Sequence, residues 1–326
     1  MANYLVTGAA GFIASRVAEM LLDEGHNVTG VDNLNDAYDV RLKQWRLGRL
    51  GARPGFQFQR MDICDRSAMH LLLGEAGSRG FDAVLNLAAR AGVRPSVENP
   101  WVYVETNVIG TLNLLDLCRE FGVGKFVLAS TSGLYGASDQ TPYREDQNTD
   151  HPLSPYAASK KGAEALCHTY HHLYGIDISI LRYFTVYGPA GRPDMSPFRF
   201  VQWISDGRPV TVYGDGRQSR DFTYIDDIAR GTVDGLKPLG CETINLGCDS
   251  PIVLNDVIAL IEELAGKRAQ LDHQPPHPAD VPVTWADIGK ARRLLGWEPQ
   301  VQFREGMSRV VEWYNRNREW ARDIKT

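Results

Sequence analysis

The feature that most constrains this chain is a rhythm. Short β-branched runs alternate with longer stretches whose apolar residues recur at helical spacing. The runs fall at Tyr4–Thr7, Asn27–Asp32, Phe56–Met61, Ala83–Leu87, Lys125–Ser130 and Ile176–Arg182. The clearest helices between them span Phe12–Glu24, Trp101–Phe121 and Pro155–Tyr174, each followed by a glycine: Gly25, Gly122 and Gly175. Glycine suits the left-handed residue that ends a helix. Strand and helix in strict turn predict a doubly wound α/β fold, with a parallel sheet covered on both faces.

After about Phe184 the rhythm breaks, and Pro and Gly become dense at Gly188, Pro189, Gly191, Pro193 and Pro197. The later elements are mixed: helices near 197–206, 226–236 and 254–265, strands near 209–213 and 243–247, and two further helices after Asp287. Gln274 to Pro282 holds four prolines and reads as loop. The expected division is a first domain over 1–183, rejoined by 221–247, and a smaller mixed C-terminal substrate domain from 184–220 and 248–326.

Strand 4–7 runs into Gly8-Ala-Ala-Gly11-Phe-Ile-Ala14, a G-x-x-G-x-x-A turn between a strand and a helix. Gly8 permits the tight turn, and Gly11 lets backbone approach a pyrophosphate at the positive end of the helix. Asp32 closes the second strand 21 residues after Gly11, where an acid accepts the adenosine ribose hydroxyls. It would repel a 2′-phosphate, and no Arg follows at 33–37, so the pattern favours NAD over NADP. This is a Rossmann-type arrangement. Asp62, after the third strand, either holds the adenine end or caps the next helix.

Tyr156 and Lys160 lie four residues apart on one helical face. A nearby ammonium favours the phenolate, which makes Tyr156 a plausible base near neutral pH. The preceding strand ends in Ser130-Thr131-Ser132, hydroxyls that either share a proton with the phenol or cap the strand end.

Composition narrows the function classes. The 326 residues carry a net charge of −5, which argues against a broad basic surface for nucleic acid. No apolar run is long enough for a membrane span. Five scattered Cys without a C-x-x-C pair do not form a disulfide framework. The apolar stretch Tyr4–Ser15 lacks a cationic start, so the expectation is a mature cytoplasmic protein. His168, His171 and His172 share one helix and His273 and His277 flank a loop, with no convincing third ligand, so no metal is expected. Asp226-Asp227 reads as a helix cap rather than a carboxylate dyad.

Together, T-G-x-x-G-F-I from Thr7, the strand-end Asp32, S-T-S-x-x-Y-G from Ser130 and Y-x-x-x-K from Tyr156 resemble the extended short-chain dehydrogenase/reductase superfamily. Within it the chain is similar to the nucleotide-sugar epimerases and dehydratases. The resemblance implies bound NAD, Tyr156 as base, Lys160 on the nicotinamide ribose, and Thr131 sharing the substrate hydroxyl. It puts the other dinucleotide contacts on Gly8, Gly11, Phe12, Ile13, Asp32, Asn33, Asp62, Ile63, Leu87, Ala88, Ala89, Asn107, Ser130 and Tyr183. Helices 101–121 and 156–174 commonly pair in such proteins, which implies a homodimer.

Dehydratases of this kind carry an Asp-Glu pair after the Thr, whereas this chain has Ser132-Gly133, and neither titrates. Decarboxylases usually have a Glu there, also missing. The stretches 88–100 and 188–195 resemble UDP-glucuronate 4-epimerases. That likeness puts Ser132, Thr185 and Arg192 on the sugar carboxylate, Arg220 on the diphosphate, Asp280 on the uridine ribose and Tyr213 on uracil. An Arg offers a planar fork for a carboxylate. His277 stands where galactose-type epimerases carry a phosphate-binding Arg. The alternatives are a UDP-glucose or UDP-N-acetylglucosamine 4-epimerase, a UDP-glucuronate decarboxylase, and a non-catalytic NAD-binding regulator.

Overall fold

The computed structural model describes residues 1–75, 80–276 and 280–326, so His277 lies outside the described residues. In chain order the first elements are β1 (Asn3–Thr7), α1 (Phe12–Asp23), β2 (Asn27–Val31), α2 (Val40–Gly51), β3 (Phe56–Gln59), α3 (Arg66–Glu75) and β4 (Ala83–Asn86). There follow α4 (Val93–Glu98), α5 (Trp101–Val104), a π turn (Glu105–Ile109), α6 (Gly110–Phe121), β5 (Lys125–Thr131), a 3₁₀ turn (Ser132–Tyr135), α7 (Pro155–Tyr174) and β6 (Asp177–Tyr183). The remainder is β7 (Thr185–Tyr187), α8 (Ser196–Asp206), β8 (Pro209–Tyr213), β9 (Ser219–Tyr224), α9 (Ile225–Asp234), β10 (Cys241–Leu246), β11 (Pro251–Val253), α10 (Leu254–Ala265), β12 (Gln270–Gln274), α11 (Gly289–Leu295), α12 (Phe303–Arg316) and α13 (Arg318–Ala321).

Seven parallel strands form the central sheet in the order β10-β6-β5-β4-β1-β2-β3. The strand order reverses between β1 and β4, and a crevice opens there at the carboxyl edge. Small sheets β11-β9-β7 and β12-β8 stand beside it. β10 completes one edge of the large sheet, and α11 packs against β10. Trp297 and Leu295 are buried in the core under that sheet, while Phe12 and Leu42 pack with the core of the smaller sheets. The two cores therefore trade residues, and the cleft lies between them.

Local chemistry accounts for the element ends that matter. Ser154 caps α7 by accepting from the Ala157 amide at 3.2 Å, and Pro155 occupies the first turn, where its missing N–H costs nothing. Gly175 closes α7 at φ 69°. The stretch read as one helix over 101–121 is interrupted by the π turn at Glu105–Ile109. The Gly110 that follows leaves room for Ile63, which a Cβ would meet at 2.6 Å. β7, β9, β11 and β12 are too short or too polar to announce themselves in the sequence. Asp226 and Asp227 do not cap α9, which begins at Ile225. Instead Asp226 pairs with Arg16 at 2.7 Å, and buried Asp227 accepts from the Gln300 and Val301 amides, both at 3.0 Å.

Among the described residues, no group of three His, Cys, Asp or Glu is placed to hold a metal ion, and no helix is long and apolar enough to cross a membrane.

Candidate active site

A cleft of about 710 Å³ runs along the carboxyl edge of the sheet, between the two cores. Gly8, Gly11, Phe12, Ile13, Asp32, Asn33, Asp62, Ile63, Leu87, Ala88 and Ala89 line one end. Ser130, Thr131, Ser132, Tyr156, Lys160 and Tyr183 line its middle, and Thr185, Arg192, Tyr213, Arg220 and Asp280 the other end.

The glycine turn is shut against β4. Gly8 holds φ 69°, and an added Cβ would lie 2.8 Å from the Ala88 Cα. The Gly11 amide donates to the Gly8 carbonyl at 2.7 Å, and a Cβ on Gly11 would sit 2.8 Å from that same oxygen. No side chain caps the start of α1, so its first amides face the cleft as a ready anion site. A backbone that close suits the pyrophosphate of a dinucleotide. Asp32 accepts the Ala10 and Leu34 amides at 3.2 and 2.8 Å, and its charge is balanced by buried Lys43 of α2, 3.4 Å away. Lys43 also donates to Asn35, so this cation is committed to local partners.

Asp62 accepts the Cys64 amide at 2.9 Å and the Asn33 side chain at 2.7 Å. Burial alone would raise its carboxyl, but these bonds hold it below the usual range. The cap of α3 is Asp65, which accepts from Ala68, so the cap reading of Asp62 is replaced. Asn107 does not line the cleft. From the π turn it grips the Arg90 backbone at N–H and C=O, both at 2.9 Å, and donates to Ser159. These bonds fix the loop after β4. Tyr183 lines the cleft by its ring side only, because its hydroxyl is paired with Thr232 at 2.8 Å.

At the centre, β5 ends where α7 begins to face it. Thr131 accepts the Gly133 amide at 3.1 Å, so its hydroxyl caps the strand end, and it stands near enough to the Tyr156 phenol to favour the phenolate. Burial pushes the Tyr156 phenol above its ordinary value, and Thr131 and the charge of Arg192 pull it back. Burial pushes the Lys160 ammonium down to about 8. Ser130 donates to Glu164 at 2.6 Å, and Glu164 holds Arg182 in a buried pair at 2.8 Å.

The far end is a meeting of arginines. Arg192 donates to Asp194 through Nε at 3.0 Å and to the Ala91 carbonyl at 3.1 Å. Burial disfavours its charge, but Asp194 holds it firmly protonated. Arg94 lies 3.7 Å above the centre of the Tyr213 ring and pairs with Asp280 at 2.7 Å. The face expected to stack on uracil and the acid expected on ribose therefore share a guanidinium. Arg220 donates to the Ser219 and Pro282 carbonyls. Arg94, Asp194 and Arg199 line the cleft and were missed by sequence reasoning. For Arg94 the reason is plain, since 186 residues separate it from Asp280.

A family model described as GDP-mannose 4,6 dehydratase matches residues 5–310. A curated UDP-glucuronate 4-epimerase of Thermodesulfobacterium geofontis is 58% identical over 326 residues, covering 100% of both chains. The crystal structure of UDP-glucuronic acid 4-epimerase from Bacillus cereus, in complex with UDP-glucuronic acid and NAD, superposes with TM-score 0.91 at 38% identity, over 97% of this chain and 99% of that one. A UDP-glucose 4-epimerase of Thermotoga maritima, with UDP-glucose, reaches TM-score 0.89 at 33% identity, over 97% and 99%. The chain belongs to the NAD-dependent epimerase/dehydratase family.

Proposed function

We propose that this chain is an NAD-dependent enzyme that inverts C4 of UDP-glucuronate to form UDP-galacturonate through a transient 4-keto sugar. The observation that carries the reading is Arg192 beside Tyr156 in one cleft, a fixed cation next to a candidate base. The relatives named above support it, as do two uncharged residues, Ser132 and Gly133, where a dehydratase needs an acid and a base.

Gly8, Gly11, Phe12, Ile13 and the loop after β4 would hold NAD, with Asp32 and Asp62 toward its adenosine half. The nicotinamide supplies the hydride acceptor and donor. Tyr156 withdraws the C4 hydroxyl proton and later returns one, and Thr131 shares that hydroxyl. Lys160 adds the positive charge that makes phenolate formation accessible in a buried site. Ser132, Thr185 and Arg192 hold the sugar carboxylate. Oxidation at C4 creates a β-keto acid, which loses carbon dioxide when the carboxylate bond aligns with the ketone. A carboxylate clamped out of that alignment protects the intermediate. Tyr213, Asp280 and Arg220 serve the uridine diphosphate. On this reading 1–183 with 221–247 carries the cofactor, and 184–220 with 248–326 carries most of the sugar nucleotide.

Trp101, Val104 and Ile109 are exposed along the 101–121 stretch, as are Leu173 and Tyr174 at the end of α7. An apolar face of that kind supports a homodimer joined through these helices. Five free thiols support a reducing, cytoplasmic setting. The test is proton NMR of purified protein with UDP-glucuronate and no added NAD. Slow appearance of UDP-galacturonate is expected. UDP-pentose would instead mean a decarboxylase, and no change even with NAD added would remove the epimerase reading.

A further inference from the structure

One buried side chain binds backbone at both ends of the cleft. Arg46, on α2, is only 3% exposed. Its Nη1 donates to the Ala10 carbonyl of the glycine turn at 3.1 Å and to the Tyr38 hydroxyl at 2.8 Å. Its Nη2 donates to the Ala190 carbonyl at 2.5 Å and the Gly191 carbonyl at 3.4 Å. The guanidinium also lies 5.8 Å from the centre of the Phe12 ring. Its acceptors are thus three backbone carbonyls and a phenol. A guanidinium carries its donors in a rigid fork, so the carbonyls it binds are kept at a set separation. Bonds from a charged donor are also stronger than neutral ones.

What Arg46 holds is the loop that carries Arg192. Ala190 is buried and sits at φ 52°, a left-handed conformation that an alanine keeps only where its surroundings impose it. The loop has little slack around it. A Cβ on Gly188 would lie 2.4 Å from the Ile225 side chain, and one on Gly191 would lie 3.1 Å from the Gly188 carbonyl. Arg46 bonds the two residues immediately before Arg192, and Arg192 in turn donates to the Ala91 carbonyl in the loop after β4. Two pieces of the cofactor half therefore grip the Arg192 segment. Lys43, one turn before Arg46 on the same helix, balances Asp32. One face of α2 thus serves both ends of the cleft.

We propose that Arg46 is a positioning residue: it ties the glycine turn to the 190–191 loop and so sets where Arg192 meets the sugar carboxylate. Arg46 does not itself line the cleft. The inference rests on the reading of Arg192 as the carboxylate clamp. The chain separates Arg46 from Ala190 by 144 residues, so no sequence motif joins them.

The test is calorimetric titration of the NAD-loaded protein with UDP-glucuronate and with UDP-glucose, which differ only at C6. Wild-type protein should prefer UDP-glucuronate. Arg46→Met should weaken UDP-glucuronate by roughly 10- to 100-fold and leave UDP-glucose within about twofold, because only the carboxylate feels a displaced clamp. Arg46→Lys keeps a buried charge without the fork and should lose a smaller part of the preference; it is the variant to read if the Met form does not fold. In Arg192→Met protein, adding Arg46→Met should change UDP-glucuronate affinity by no more than about twofold, since the two residues act as one unit. Equal losses for both sugars, loss for neither, or a further loss of roughly tenfold on top of Arg192→Met each overturn the assignment. Wild-type protein without a preference removes the carboxylate clamp and this inference with it. A wild-type preference that survives in both Arg46 variants removes this inference alone.

Discussion

The cofactor end of the cleft is made mostly of backbone, and the sugar end mostly of side chains. At the first, Gly8 and Gly11 pack so closely on Ala88 and on each other that no Cβ fits. At the second, Arg94, Arg192, Arg199 and Arg220 reach in from four separate segments and meet acids, rings and carbonyls. Backbone close-packing tolerates one kind of residue and serves one kind of ligand. An arrangement of side chains can be retuned one residue at a time. The same fold can therefore change its sugar, as the two solved relatives with different UDP-sugars illustrate.

Tyr156 sits where the two ends meet, so its loss should be the largest. Tyr156→Phe should lower turnover by roughly 10²- to 10⁴-fold, while the purified protein keeps its NAD and binds UDP-glucuronate. Unchanged turnover would remove the base from Tyr156. Gly8→Ala should break the cofactor end alone. A Cβ 2.8 Å from Ala88 at φ 69° costs about 1–3 kcal/mol, so NAD content should fall while UDP still binds. Loss of UDP with NAD retained would reverse the two ends.

Arg192→Met should break only the sugar end. The KM for UDP-glucuronate should rise by roughly 10- to 100-fold with NAD content unchanged. Carbon dioxide release per turnover should increase if the clamp protects the keto acid. The smallest effect is the pH profile. With its pKa pushed down to about 8, Lys160 is charged below that pH and neutral above it. Tyr156, raised by burial, gains phenolate as pH rises while Lys160 loses its charge above about 8, so kcat should rise about tenfold per unit below pH 8 and level off above it. A continued rise of about tenfold per unit from pH 8 to pH 9 would detach Lys160 from the proton transfer.

How far the site could be read beforehand follows the same division. The glycine turn, Asp32 and the pair on α7 are local patterns. Each needs only a strand, a turn and a helix in order, and α7 runs from Pro155 to Tyr174 as its Ser-Pro start and Gly end dictate. The π turn that interrupts the helix expected over 101–121 carries Asn107, and its grip on the Arg90 backbone has no local signature in the sequence. Asp62 was ambiguous because only the fold reveals that Asp65 is the cap.

The sequence by itself determined the parallel sheet, the order of its elements, the glycine cradle and the chemistry of the Tyr156 helix, because those depend on neighbours within one or two turns of chain. Only the tertiary structure decided which charges pair. Lys43 neutralises Asp32, Arg94 takes Asp280 and covers Tyr213, and Arg192 takes Asp194. A charged side chain selects its partner by distance and burial after folding, and spacing along the chain carries little trace of either.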